Sequence, residues 1–136
     1  MSRAQKKLPL LLKQMRTSKE IGNVGEDIAC RYLEAQGFRI LHRNLRMGYL
    51  ETDIVCENDE YILFVEVKTR RATGAVSRYG KARDAVTEQK KKHLLDGARE
   101  YLRSSGVKKR PRIDLVEVRI SREEAPIVKW IKNILG

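Results

Sequence analysis

Two strand-like runs joined by a turn occupy residues 49–68, which read YLETDIVCENDEYILFVEVK. The runs 49–57 and 61–68 are rich in β-branched and aromatic residues, a composition that favours strands. Asn58 and Asp59 between them are turn-forming residues. The stretch therefore predicts an antiparallel hairpin with a two-residue loop at Asn58-Asp59.

An even-length loop in this hairpin would put four charged side chains on one face, because side chains alternate between the two faces of a strand. These side chains are Glu51, Asp53, Glu66 and Lys68. In the predicted register Glu57 pairs with Glu60, Asp53 lies opposite Phe64, and Glu51 lies opposite Glu66.

Three acids and a lysine on one face suit a divalent metal site. Carboxylates from adjacent strands can bind Mg²⁺ or Mn²⁺, which prefer oxygen ligands and keep several waters. Such an ion lowers the pKa of a bound water and shields phosphodiester charge. Lys68 can then position or deprotonate that water, or stabilise charge on the phosphorus. The alternative interpretation is two cross-strand ion pairs on a solvated sheet face.

Patterns outside the hairpin complete an α/β fold. Apolar periodicity predicts helices over 18–36 and 87–104, each followed by a glycine that can end it. Further strands are predicted over 38–43 and 112–120. Isoleucine and tryptophan at helical spacing predict a short terminal helix over 126–135. The order α-β-β-β-α-β-α indicates a mixed central sheet flanked by helices.

Gly25 and Glu26 lie on or beside the apolar stripe of the first predicted helix. Gly25 lies on the apolar stripe, where a larger side chain would obstruct a close neighbour. Glu26 lies at the edge of the stripe and can point into a cleft between helix and sheet. It can equally be an acid favoured by the macrodipole in the first half of a helix.

The composition limits the class of partner. The chain has 136 residues, with 29 Lys and Arg against 18 Asp and Glu, so its formal charge is +11. We predict one domain over 18–136, preceded by a basic arm at 1–17. Nucleic acid is the first candidate partner, and an anionic membrane surface is the second. The apolar run 8–12 is far below the roughly 20 residues of a membrane span, so we expect a cytoplasmic protein.

Basic residues follow the hairpin directly and continue along the second helix. The candidate phosphate contacts are Arg70, Arg71, Arg78, Lys81 and Lys90, with Arg83 and 108–112 nearby. Charges of this kind bind the phosphate backbone without reading sequence. The region 70–80 has little apolar content and is predicted to be a mobile basic loop. Lys90 can alternatively be a solvated lysine whose stem covers the core.

The cysteines and histidines argue against other chemistries. Cys30 and Cys56 form no CxxC pair, so zinc and a disulfide framework are not supported. His42 and His93 are isolated in the sequence, so neither a histidine-metal nuclease nor a serine hydrolase is favoured.

Four short motifs together resemble the YraN family of small bacterial proteins. They are Gly22-x-x-Gly25-Glu26, Asn44-x-Arg46, Glu51-x-Asp53 and Phe64-Val65-Glu66-Val67-Lys68-Thr69-Arg70. The resemblance runs from about Gly22 to the end of the chain. It implies a restriction-endonuclease-like fold carrying the Asp…(Asp/Glu)-x-Lys nuclease motif.

The resemblance also implies roles for individual residues. Asp53, Glu66 and Lys68 would be the catalytic core, with Mg²⁺ or Mn²⁺ as cofactor. Glu26 resembles the additional acid of archaeal Holliday-junction resolvases, which are related in fold, and would be a further metal ligand. Lys90 matches a recurrent family lysine. Leu50 departs from the family pattern, in which glycine usually precedes the first acid.

These observations predict a divalent-metal-dependent DNA nuclease that is selective for branched or junction DNA. Junction cleavage needs two active sites, so a homodimer is expected under that reading. One alternative is a nucleic-acid-binding module that keeps the fold without cleaving. A weaker alternative is an assembly factor that uses its basic surface on RNA.

Overall fold

The computed structural model describes residues 18–71 and 86–135 of the chain. Within these ranges there are two helices and five strands. They are α1 (Ser18–Ala35), β1 (Arg39–Met47), β2 (Leu50–Glu57), β3 (Tyr61–Arg71), α2 (Glu88–Ser105), β4 (Arg110–Ile120) and β5 (Ile127–Ile131). The predicted arm at 1–17 lies outside the described residues.

The five strands form one mixed sheet in the order β1-β2-β3-β4-β5. Neighbouring strands are antiparallel except β3 and β4, which are parallel along their whole length. A parallel pair needs a crossover between its strands, and α2 lies in that connection. The predicted fold class, α/β with a mixed central sheet flanked by helices, is confirmed.

The two helices pack on opposite faces of the sheet. Leu33 of α1 belongs to a core that includes Ile54 and Val65. Leu94 of α2 belongs to a second core that includes Val55 and Phe64. Because β2 and β3 contribute to both cores, charged side chains on these strands can avoid burial only where the helices stop covering the sheet.

The helix ends follow the sequence signals. Gly37, just after α1, has a φ of 94° that suits glycine. The Thr87 side chain accepts a hydrogen bond from the Lys90 amide at the start of α2, and Gly106 ends this helix in the left-handed conformation. In the described parts of the chain, no helix is both long and apolar enough to cross a membrane.

The predicted hairpin between β2 and β3 forms, but its register differs by two residues. The structure pairs Glu57 with Ile62, not with Glu60. The loop is Asp59-Glu60, because the Asn58 side chain accepts hydrogen bonds from the amides of Glu60 and Tyr61 and so closes the turn one residue later. Sliding the loop by one residue keeps its even length. The predicted single face of Glu51, Asp53, Glu66 and Lys68 is nevertheless interrupted in β2, because Leu50 and Thr52 lie against Gly97 of α2, the helix that covers the face of Glu66.

The corrected register changes which acid faces Glu66. Ile54 lies opposite Val65, so extending the same register puts Asp53 level with Glu66. The predictions that Asp53 lies opposite Phe64 and that Glu51 lies opposite Glu66 are therefore wrong.

The predicted terminal helix over 126–135 is wrong. Ile127–Ile131 is instead a strand, antiparallel to β4, with Trp130 level with Val116. Three of its five residues are β-branched, which favours a strand once the edge of β4 is available. Trp130 also donates a hydrogen bond from Nε1 to the buried Asp114, which fixes the strand in place.

Candidate active site

The site begins where β2 and β3 separate. Their ladder ends at Ile54 opposite Val65, although both strands continue beyond that pair. Just past this point, Asp53 Oδ2 accepts a hydrogen bond of 2.8 Å from the Val67 amide. The carboxylate therefore reaches across the gap and takes an amide of β3 that no longer pairs with the backbone of β2.

Glu66 lies beside this gap with two lysines around it. The residue is only 4% exposed. Lys68 Nζ lies 3.5 Å from Glu66 Oε1, and Lys90 Nζ lies 3.5 Å from Glu66 Oε2. Lys68 comes from the same strand and Lys90 from the first turn of α2, so each carboxylate oxygen faces one ammonium group.

Burial and mutual repulsion raise the pKa values of both acids of this pair. Burial, followed by the charge of Asp53, raises the pKa of Glu66 to about 7. Burial also raises the pKa of Asp53, although the hydrogen bond from Val67 acts in the opposite direction. Two carboxyl groups near one another at a buried position are typical of functional sites.

Glu26 approaches Asp53 from α1, on the other face of the sheet. Burial, and then the charge of Asp53, raises the pKa of Glu26. The Oε1 atom of Glu26 is buried and accepts no hydrogen bond from the described residues. The helix comes close to β3 here because Gly25 has no side chain: a Cβ atom at Gly25 would lie 1.8 Å from Thr69 Oγ1. This confirms the predicted close approach at Gly25.

The donor chemistry fits a hard divalent cation. Asp53, Glu66 and Glu26 offer only carboxylate oxygens, which suit Mg²⁺ or Mn²⁺. Two of these oxygens lack ordinary hydrogen bonds: Glu26 Oε1 is without a donor, and Glu66 Oε2 has the Lys90 ammonium beside it. Among residues 18–71 and 86–135, no three His, Cys, Asp or Glu side chains lie close enough together to form a preformed metal site.

The remaining predicted residues lie around this centre or outside the described chain. Glu51 is at the rim, 3.9 Å from Arg46, and its charge raises the pKa of Asp53. Arg70 and Arg71 belong to β3, where they pair with β4, so the predicted loop does not begin at residue 70. The candidate phosphate contacts at positions 78 and 81 lie outside the described residues.

Sequence reasoning missed several contacts that the fold creates. Asn44 has a φ of 50° and lies near Glu26, whose pKa it lowers through a side-chain hydrogen bond. The Lys90–Glu66 ion pair joins two elements that are far apart in the sequence. A polar asparagine between strand residues was a usable signal for an irregular backbone, whereas the Lys90 contact had none.

The raised pKa of Glu66 predicts that the stability of the protein depends on pH when no divalent ion is present. The pKa of Glu66 is raised from 4.5 to about 7, so the folded state binds more protons than the unfolded state between these values. The free energy of unfolding is expected to fall by on the order of 2 to 3 kcal/mol as pH rises from about 4.5 to about 7. Urea denaturation across this range measures the slope. Glu66→Gln should remove this component, and an unchanged slope in that variant would contradict the assignment.

Sequence comparisons place this architecture in a known family. A profile of the family described as "Uncharacterised protein family UPF0102" matches residues 25–118, which is more than two-thirds of the chain. The chain belongs to the UPF0102 family. This confirms the resemblance to the YraN family that the sequence motifs indicated.

Relatives of this UPF0102 protein match it over most of their own length. A UPF0102 protein of Dehalococcoides mccartyi is 40% identical over 119 residues, covering 87% of this chain and 94% of that protein. A relative from Rhodococcus jostii is 38% identical, with 83% and 93% covered, and one from Herminiimonas arsenicoxydans is 34% identical, with 95% and 98% covered.

Among solved structures, the chain is similar to SfsA of Pyrococcus furiosus, determined in complex with Ca²⁺. The sequence identity is 19% and the TM-score is 0.36, with 85% of this chain and 63% of that chain covered. This likeness is too distant to bear on the function of the UPF0102 site.

Proposed function

We propose that this UPF0102 protein is a divalent-metal-dependent nuclease that hydrolyses phosphodiester bonds in DNA. The observation that carries the proposal is the buried Glu66, held between Lys68 and Lys90 beside Asp53 where two strands separate. Burying several charged groups together usually costs folding free energy, so such a cluster is more typical of a functional site than of a stabilising one.

Asp53 and Glu66 would hold the ion, with Glu26 adding a carboxylate from α1. Bound Mg²⁺ or Mn²⁺ supplies an activated water and electrostatic stabilisation of the phosphodiester. The Val67 amide fixes one oxygen of Asp53, so this carboxylate is already oriented by the backbone. Lys90, on the opposite side of Glu66, limits repulsion among the acids.

Lys68 would act on the reacting atoms. Its side chain is 38% exposed, so the ammonium can reach both Glu66 and a phosphate in the gap. An ammonium at this position can orient an attacking water or neutralise charge that develops on the phosphate oxygens. In this arrangement the carboxylates would bind the metal ion, and Lys68 would interact with the phosphate.

The formal charge of +11 supports DNA as the polyanion. The contacts would be to the phosphate backbone through Arg70, Arg71, Arg78, Lys81 and Lys90, without sequence readout. We place the protein in the cytoplasm, where the free, buried Cys30 and Cys56 stay reduced. Selectivity for branched DNA, with a homodimer that supplies two sites, is part of the proposal.

Purified wild-type protein is expected to cleave DNA only when Mg²⁺ or Mn²⁺ is present. The substrates are linear, flapped and four-way-junction DNA of the same sequence, assayed with each ion and with EDTA. Branched substrates should be cleaved faster than linear DNA. DNA affinity should fall steeply with salt, because phosphate contacts release counterions.

Two results would contradict the proposal. Metal-independent cleavage would exclude the acids as metal ligands. Salt-dependent binding to all three substrates without any cleavage would leave a binding module that keeps the fold.

A further inference from the structure

A second buried acid, Glu117, lies on the same sheet face as the candidate site. Glu117 belongs to β4 and is only 1% exposed. Its Oε1 atom accepts a hydrogen bond of 2.8 Å from Arg119 Nε, and its Oε2 atom lies 3.5 Å from Arg70 Nε. Its Cα partner across the parallel ladder is Lys68, so the side chains of Glu117 and Lys68 point to the same face.

The register shows where this acid holds the two arginines. Arg70 and Arg119 are partners in the same ladder, two residues farther along their strands than Lys68 and Glu117. Both guanidinium groups turn back to reach Glu117. Because Glu117 is level with Lys68 in the ladder, both guanidinium groups lean toward the Lys68 end of their strands.

The cluster keeps a positive balance and access to solvent. Arg70 and Arg119 carry two positive charges against the single negative charge of Glu117, while Lys68 is paired with Glu66. The side chains of Arg70 and Arg119 remain 30% and 19% exposed, while Glu117 beneath them is covered. Guanidinium groups fixed by a carboxylate are oriented in advance for phosphate oxygens, since less side-chain entropy is lost on binding.

A comparable buried acid on the opposite face shows a different arrangement. Asp114 of β4 also pairs with an arginine two residues away, Arg112. Its oxygens accept further hydrogen bonds from Trp130 Nε1 and the Asn133 amide, so Asp114 ties together β4, β5 and the segment after it. Glu117 contacts no comparable structural donor in the described residues and is paired with the arginines that border the site.

We propose that Arg70 and Arg119 form a phosphate subsite next to Lys68 and that Glu117 is its positioning residue. The ligand is a backbone phosphate of the nucleic acid next to the phosphate that is cleaved. This inference rests on the proposed nuclease function and extends it, because it assigns Arg119 and Glu117 a part in substrate binding.

The first test compares Arg119→Gln with Arg112→Gln. Each variant removes one positive charge from β4 and breaks a pair with a buried acid. Although Arg112 belongs to the basic cluster 108–112 of the sequence, the structure pairs it with Asp114 on the face away from the site, so it contributes nothing to this subsite. Anisotropy with a labelled DNA oligonucleotide should show about tenfold weaker binding for Arg119→Gln, and a log–log salt slope smaller by about one. Arg112→Gln should bind within about twofold of wild type with the same slope.

The second test is Glu117→Gln, for which the proposal and general electrostatics predict opposite signs. Removing a negative charge near bound DNA should strengthen binding if only net charge matters. If Glu117 orients the arginines, binding should weaken about threefold or more, and KM should rise more than kcat falls.

Each outcome bears on the subsite separately from the proposed nuclease. Equal effects of Arg119→Gln and Arg112→Gln would overturn the subsite, as would tighter binding by Glu117→Gln. Either result is compatible with normal DNA cleavage by the wild-type protein, so it would leave the proposed nuclease function intact. Thermal denaturation of each variant checks that only folded proteins are compared. If wild type binds DNA but does not cleave it, the same affinities still decide the phosphate subsite.

Discussion

Glu66→Gln is expected to abolish metal-dependent DNA cleavage, lowering the rate by on the order of 10³-fold, while DNA affinity is unchanged or higher. Glutamine keeps the size of the side chain but loses the negative charge that a divalent ion requires. Removing an acid beside bound phosphate also lessens repulsion, so binding and cleavage should move in opposite directions. Single-turnover cleavage and anisotropy on the same preparation measure the two effects.

Glu57→Gln is the matched control for this variant. Glu57 is also a buried acid of the β2–β3 hairpin, and it pairs with two basic residues, Arg39 and Lys109. It lies at the far end of β2 from the site, next to the turn. This variant should lose about 1 kcal/mol of stability and keep full cleavage. Equal loss of cleavage in both variants would point to general destabilisation rather than a metal ligand.

Gly25→Ala is expected to destabilise the protein by about 3 kcal/mol. The added methyl group would lie 1.8 Å from Thr69 Oγ1 and 2.7 Å from Thr69 Cβ, so α1 must move away from β3. The displacement would also carry Glu26 away from Asp53, and metal-dependent cleavage should fall as well. Thermal and urea denaturation measure the stability change.

Gly22→Ala provides a control of opposite sign. It lies one turn earlier in α1, and a Cβ atom there would meet nothing within 4 Å. Alanine has the higher helix propensity, so this variant should gain about 0.5 to 1 kcal/mol. A rescue is also available, since Thr69→Gly removes the obstructing atoms and should restore part of the stability lost in Gly25→Ala. Equal effects of the two alanine substitutions would contradict the close helix–strand contact.

The sequence was informative where the structure depends on alternation along a strand. The period of two in β2 and β3 predicted the hairpin and an even loop, and the structure keeps both. The register itself depends on whether Glu57 or Asn58 is the last residue to pair before the loop. That choice follows from the hydrogen bonds of one side chain, Asn58, which the pattern does not show.

The sequence was misleading where tertiary pairing outweighs periodicity. Apolar residues spaced by three and four over 126–135 suit a helix face, yet the segment pairs with the edge of β4. Alternate residues then serve both cores: Trp130 packs on the α1 side and Ile131 on the α2 side. A short amphipathic segment beside an unpaired strand edge gains more from the backbone ladder than from fewer than three turns of helix.

The site shows the same division between local and long-range information. The Glu66-x-Lys68 spacing predicts that these two side chains share a face, and they form an ion pair. The hydrogen bond from the Val67 amide to Asp53 depends on the separation of two strands, and the Lys90–Glu66 pair depends on the packing of α2. Neither can be derived from spacing along the chain, because both join elements through tertiary structure.

The metal site is tested by calorimetric titration of Mn²⁺ into wild-type protein and into the Asp53→Asn/Glu66→Gln double variant. We expect wild type to bind Mn²⁺ more strongly as pH rises through about 7, because the cation displaces the proton from Glu66, whose pKa is raised. The double variant, folded as judged by its thermal unfolding, should show no binding at the same concentrations. Undiminished Mn²⁺ binding in the double variant would contradict the assignment of these acids as the metal site.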